Sequence, residues 1–257
     1  MSELLPAIPA ATLILLRDIP GAAPELLMIE RAGSMAFAAG AMVFPGGRVD
    51  EGDHLLAADP RLATPLDDGE DAAARVAAIR ECIEEVGLAV GFAADAAAVA
   101  AIRDGLAAGE PFGALLGARG LALDLAQLVP FARWRPNFKE ARLFDTRFYL
   151  AAAPEGDAAA DGGESVHALW ASAQAMLDDA QAERRQLIFP TRRNLERIAT
   201  FASLDEARTH AAAHPVRLIT PFVEHRDGVP YICIAEGLGY PVTSEPLPAS
   251  RIAELRK

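Results

Sequence analysis

The sequence predicts an α/β (α+β) fold, a mixed sheet packed with helices, and three features carry that prediction. Near the start, Ala10–Arg17 and Glu25–Arg31 are apolar runs of strand length. Further on, Val76, Ile79, Ile83 and Val86 recur at helical spacing and fall on one side of a helix predicted over Asp71–Val86. Near the end, EHRDGVPYICI sets Asp227-Gly228 between polar and alternating apolar residues, a hairpin signature. At 257 residues without internal repeats, the chain suits one large domain or one domain with an extension.

The elements follow in order. After the first two strands, Ala41–Phe44 is a third apolar run, ending at the Gly46-Gly47 turn. His54 to about Asp71 bears Pro, Asp and Gly and reads as a loop insert, one that should tolerate shortening between Leu55 and Pro65. The acidic helix Asp71–Val86 stops at Gly87, which accepts the left-handed conformation of a helix cap. Ala94–Ala108 is a second helix, Leu115–Leu121 a loop, and Leu125–Arg133 a short helix. Thr146–Ala152 alternates and then runs apolar, as a sheet strand does. Pro154–Gly163 is expected to be a mobile loop, followed by a strand at Val166–Trp170. Helices are expected at Ser172–Ala182, at Arg192–Ala202 with Thr191 as N-cap, and at Leu204–Ala213.

The acidic helix poses a chemical problem. Glu81 and Glu85 are a like-charged i, i+4 pair, which costs roughly 0.2–0.5 kcal/mol. All of Glu81, Glu84 and Glu85 lie near the negative end of the helix dipole. Only Arg80, four residues before Glu84, is placed to help. A solvated acidic face is the ordinary fate of such a run. Here two local rules break together, and a divalent cation is the natural compensation, since hard cations take carboxylate oxygens.

FPGGRVDEGD upstream and RECIEEVGL together resemble the Nudix box: a glycine, five residues, an acid, then Arg-Glu-x-x-Glu-Glu-x-Gly and an aliphatic residue. Gly47, Asp53, Arg80, Glu81, Glu84, Glu85, Gly87 and Leu88 fill those places. Asp53 stands where the family usually has Glu, and 26 residues rather than seven separate it from Arg80. An interrupted box, with PAATLILLRD, LFDTRFYLAAAP, GGES and FPTRRNLERIATFAS elsewhere, is similar to the coenzyme A diphosphatase subgroup of the peroxisome and its bacterial relatives.

The resemblance implies the Nudix sheet-between-helices sandwich with a C-terminal helical extension. Residues 1–170 would form the hydrolase domain with its insert at 54–70, and 171–257 a helical extension and terminal hairpin on the same core. It implies Mg²⁺ or Mn²⁺ at Glu81, Glu84 and Glu85, with Glu164, Arg80 and Glu84 in the catalytic set. Gly46, Gly47, Arg48 and Arg142 would face a small-molecule diphosphate. Glu164, after two glycines, is preferred as general base over Glu140, which Lys139 and Arg142 flank. Coenzyme A or its thioesters are the implied substrate. ADP-ribose, dinucleotides, sugar nucleotides and a non-catalytic nucleotide-binding module remain alternatives.

Bulk properties narrow the partners. With 24 basic and 36 acidic residues the net charge is −12, which argues against nucleic acid and acidic membrane surfaces. Cys82 and Cys233 make no disulfide framework, and Cys82 reads as a small packing residue. The five histidines are read as unpaired and are given no role. No segment reaches membrane-span length, so a cytoplasmic location and a possible homodimer complete the expectations.

Overall fold

The computed structural model describes residues 6–33, 38–136 and 143–247; Arg142 and Glu140 lie outside them. The first four strands are β1 (Ile8–Arg17), β2 (Glu25–Arg31), β3 (Ala41–Val43) and β4 (Gly46–Arg48). Helices α1 (Glu51–Ala57), α2 (Gly69–Val86), α3 (Ala96–Ala107) and α4 (Phe112–Gly117) follow. A 3₁₀ turn then leads into β5 (Val129–Trp134), β6 (Phe144–Ala152) and β7 (Ser165–Ser172). The remainder comprises α5 (Ala173–Gln181), β8 (Gln186–Leu187), α6 (Phe189–Ile198), α7 (Leu204–Ala213), β9 (Leu218–Ile219), β10 (Phe222–Arg226), β11 (Val229–Cys233) and β12 (Ser244–Pro246).

The main sheet runs β8-β3-β2-β1-β6-β5-β9, with β4 added to β1 and β7 to β2. β1 pairs in parallel with β6 from Ile8↔Phe144 to Leu16↔Ala152. A central strand is covered on both faces, which is why its sequence is continuously apolar. Its side chains divide by parity. Leu13 and Leu15 enter a core with α1 to α4, while Ile14 and Leu16 enter a second core with α5, α6 and α7. This is the expected sheet between helices. A separate three-stranded sheet, β10-β11-β12, turns at Asp227-Gly228, both at positive φ (51° and 80°) as a two-residue hairpin demands.

Several sequence expectations need correction. The insert begins as a helix: the Asp53 carboxylate accepts the Asp50 N–H across the first turn of α1, and Leu56 and, further along, Ala63 are buried. Seven residues are too few to show helical periodicity, so the packing that stabilises α1 leaves no local trace. Leu115–Leu121 is half helix, since α4 ends at Gly117. Most of the helix expected at Leu125–Arg133 is β5. There Pro130 sits at a bulge against β6, and Arg133 bonds Asp145 across the strands at 2.7 and 2.8 Å. Ile188, not Thr191, precedes the first turn of α6; Pro190 opens the helix, and Thr191 is buried within it. His210 and His214 are one turn apart on α7 and stack at 4.1 Å, so the histidines include a pair. Among the described residues no helix is long and apolar enough to cross a membrane.

Candidate active site

Helix α2 is buried almost all round, with Ala72, Ala73, Ala74, Ala77 and Ala78 allowing close approach to the sheet. Asp68 caps its first turn by accepting the N–H groups of Glu70 and Asp71. Arg75 ties its first half to the carbonyls of Leu125 and Leu128, each at 2.8 Å. Gly87, at φ 69°, ends it. The last two turns are thereby placed rigidly, and their acids face β4 rather than bulk solvent.

Arg80 organises these acids. Its Nε and Nη2 grip the buried Asp53 carboxylate, both at 2.9 Å. Its Nη2 also donates to the Arg48 carbonyl at 2.9 Å, and Nη1 donates to Glu81 at 2.9 Å and Glu84 at 3.2 Å. A guanidinium has five N–H groups, and all five are engaged. Burial works against its charge, but Asp53, Glu81 and Glu84 together raise its pKa. Asp53 therefore occupies the box position for a physical reason. It is the counter-ion of Arg80, reached across 26 intervening residues because α1 folds back onto α2.

The glycine turn completes the frame. β4 pairs with β1 at Thr12↔Gly46, Ala11↔Gly47 and Ala10↔Arg48. A Cβ on Gly46 would meet the Ala11 carbonyl and Thr12, and one on Gly47 would meet the Glu81 carboxylate. The Gly46 N–H donates to Glu85 at 2.8 Å. Behind the helix, Arg103 on α3 donates to the carbonyls of Glu84 (3.0 Å) and Glu85 (3.1 Å). It satisfies the negative end of α2 and is a second basic group beside Arg80, one that spacing along the acidic helix could not disclose.

Charge balance in the cluster is incomplete. Burial pushes the Glu81 carboxyl up to about 7, against the pull of Arg80. Burial and the neighbouring Glu81 push Glu85 up to about 8, despite the Gly46 N–H. Burial also raises Glu84. Glu81 and Glu84 thus share one arginine whose donors are all in use, and Glu85 is answered by the Gly46 N–H and the charge of Arg31.

These acids line one end of a cleft of about 670 Å³ that also holds Gly46, Gly47, Arg48, Arg80 and Glu164. Arg48 is exposed at its rim. Glu164 is exposed too, and close enough to Glu85 to raise its pKa by repulsion. The segment before Glu164, expected to be mobile, is anchored. Asp161 accepts the N–H groups of Gly163, Glu164 and Ser165, and the Glu164 carbonyl accepts Ala32 N–H at 2.8 Å.

The sequence reading missed several cleft residues. Arg31, at the end of β2, draws the Glu85 pKa down. The opposite wall is apolar, formed by Trp134, Phe144, Phe148, Ile188 and Pro190. Trp134 is held edge-on by Phe189 and Tyr240 and donates to the Tyr240 hydroxyl at 3.2 Å. Only the strand assignment of Val129–Trp134 could have pointed to it. Among the described residues, no three carboxylate, imidazole or thiol groups converge as a ready-made metal cage.

No protein-family model and no curated protein sequence matches the chain. Among solved structures, a Nudix hydrolase from Alicyclobacillus acidocaldarius is 30% identical, covering 79% of this chain and 96% of its own, with a TM-score of 0.67. A MutT Nudix hydrolase from Burkholderia pseudomallei is 18% identical over 75% of this chain and 98% of its own. Its TM-score of 0.42 is too low to carry an argument.

Proposed function

The chain belongs to the Nudix hydrolase family, and on that premise we propose that it is a divalent-cation-dependent pyrophosphohydrolase. The observation that carries this reading is the surplus of carboxylate at the cleft: Glu81 and Glu84 share Arg80, which has no donor left, and buried Glu85 is met by the Gly46 N–H. Their oxygens suit a hard cation, and Gly47 makes room for the Glu81 carboxylate, which a Cβ at that position would displace. Mg²⁺ or Mn²⁺ held by Glu81, Glu84 and Glu85 would supply positive charge for diphosphate oxygens and make water more acidic.

The chain's own residues do the rest. Arg80 holds Glu81 and Glu84 in position and does not reach substrate. Gly46 and Gly47 let a diphosphate approach the backbone, and Arg48 and Arg142 contact its oxygens. Glu164 accepts the proton of the attacking water as the new P–O bond forms and the anhydride P–O bond breaks, the released phosphate carrying off the electron pair. Residues 1–170 carry this chemistry, while the 171–257 extension supplies the apolar wall at Ile188 and Pro190. The protein acts in the cytoplasm on a small-molecule diphosphate.

Coenzyme A or an acyl-coenzyme A is the substrate we favour, on the interrupted box and the FPTRRNLERIATFAS segment. The test is a panel of diphosphates with Mg²⁺ and Mn²⁺, products identified by mass. Cleavage of coenzyme A at its diphosphate with the highest kcat/KM is expected. Faster hydrolysis of ADP-ribose, a dinucleotide or a sugar nucleotide would move the substrate assignment. Binding without turnover of any member would leave a nucleotide-binding module. Full activity after EDTA treatment would remove the cation from the reading.

A further inference from the structure

Exposed apolar side chains are concentrated in the terminal segment. Val216, Leu218, Phe222, Val229 and Val242 are 38–47% exposed, whereas only Leu55 and Val166 stand out elsewhere among the described residues. Phe222 and Val229 of these belong to the β10–β11 hairpin itself. Within the segment β10 is an edge strand: it pairs with β11 on one side and with no strand on the other among the described residues, and four of its five residues are exposed. Phe222–Arg226 contains neither Lys nor Pro, and its two opposite charges, Glu224 and Arg226, are paired with each other.

The direction of its free backbone groups follows from Pro230. This residue stands opposite His225, has no N–H to give, and turns its carbonyl to Leu247 beyond β12, at 2.8 Å. His225 is therefore at a position whose N–H and C=O point away from β11, to the open edge, as do those of Val223. Glu224 and Arg226 share the face that carries Phe222, and are ion-paired at 2.7 Å.

We infer that β10 is a self-association surface whose partner is a second copy of this chain. The two β10 strands pair antiparallel about a twofold axis through His225. In that register the two His225 residues exchange both N–H···O=C bonds, the arrangement of a hydrogen-bonded antiparallel pair. Residue 224 then falls opposite residue 226 of the second copy, twice by symmetry, so each Glu224 meets an Arg226 across the axis. The two internal ion pairs join into a ring of four alternating charges. An isologous contact requires a patch complementary to itself, and this strand satisfies that in both backbone and charge. The two three-stranded sheets become one of six. The inference is independent of the hydrolase chemistry, because no residue of β10 lines the cleft.

Sedimentation of the full chain from about 1 to several hundred micromolar tests it, with circular dichroism confirming the fold of each variant. Wild type should show a concentration-dependent dimer. Glu224→Arg alone and Arg226→Glu alone each place like charges opposite twice, and should weaken the dimer at least about tenfold. The double exchange Glu224→Arg/Arg226→Glu should restore it. His225→Pro removes the outward N–H without touching the β10–β11 ladder, and should abolish dimerisation while leaving the melting temperature of the monomer near wild type. A wild type that stays monomeric throughout overturns the proposal. So does a dimer indifferent to the single reversals and to His225→Pro, which would place the interface elsewhere.

Discussion

Helices α2 and α6 pack on opposite faces of the same sheet, and both bury charge, but they treat it differently. On α6, Arg193, Asn194 and Arg197 are at most 2% exposed. Arg193 donates to Glu196 at 2.8 Å and Glu245 at 2.9 Å. Arg197 donates to the Phe131 carbonyl at 2.9 Å and lies 3.9 Å over its ring. Asn194 accepts the Tyr240 hydroxyl at 2.8 Å. The Nε atoms of the two arginines, the Asn194 amide nitrogen and the Glu196 Oε2 lack a protein partner among the described residues of that group. On α2 the imbalance is among carboxylates: Arg80 already answers Asp53 and is shared by Glu81 and Glu84, while Glu85 takes the Gly46 N–H. Buried charge that the chain itself answers is structural, whereas buried charge left over is held for something that binds.

The largest consequence should appear in turnover. Glu164→Gln is expected to lower kcat about 10²–10⁴-fold with little change in KM, the usual worth of a general base. Steady-state assays on the best diphosphate will show it. Comparable damage from Glu140→Gln with Glu164→Gln near wild type would transfer the role. Glu84→Gln and Glu85→Gln should also lose most turnover while keeping the fold.

Stability should reverse the ranking of the two helices. Arg197→Ala removes a stacked side chain and leaves the Phe131 carbonyl without its donor, at a cost of about 2–4 kcal/mol in urea unfolding. In the metal-free protein near pH 8, Glu85→Gln should leave the melting temperature unchanged or slightly raised, because a carboxylate that burial disfavours is gone. Mg²⁺ should raise the wild-type melting temperature by mass action and that of Glu85→Gln much less. A large fall in the metal-free melting temperature of Glu85→Gln would make α2 structural in the same sense as α6.

Shortening Leu55–Pro65 now carries a definite expectation, contrary to that of a tolerant loop. Loss of buried Leu56 and Ala63 should destabilise the protein by about 2–5 kcal/mol. A melting temperature within a degree of wild type would show α1 to be dispensable.

The smallest effect concerns pH. Burial, then Arg197 and His214, lower the His210 pKa to about 4. From pH 6.5 down to about 4 the unfolded chain takes up a proton that folded His210 refuses. Stability therefore falls on acidification across that window and is flat below it. Partial solvent exposure of the ring makes the slope shallow. A His210→Gln variant should melt with a flatter profile over pH 4–6.5, and an unchanged profile would remove His210 from the account.

What the sequence determined alone was local. The apolar run of Ala10 to Arg17, the period of Val76 to Val86, the Gly87 stop and the Asp227-Gly228 turn are each written within a few residues, since backbone sterics and side-chain direction act over that range. The uncompensated acids of α2 were legible for the same reason, as a conflict between neighbours. The tertiary structure alone decided which distant groups share the site. It brought Asp53 to Arg80 through a helix too short to announce itself, Arg103 to the carbonyls of α2, Glu164 to the cleft, and Trp134 beneath Tyr240. These meetings depend on how sheet and helices pack, and packing is settled by the burial of many side chains at once rather than by any one stretch of chain.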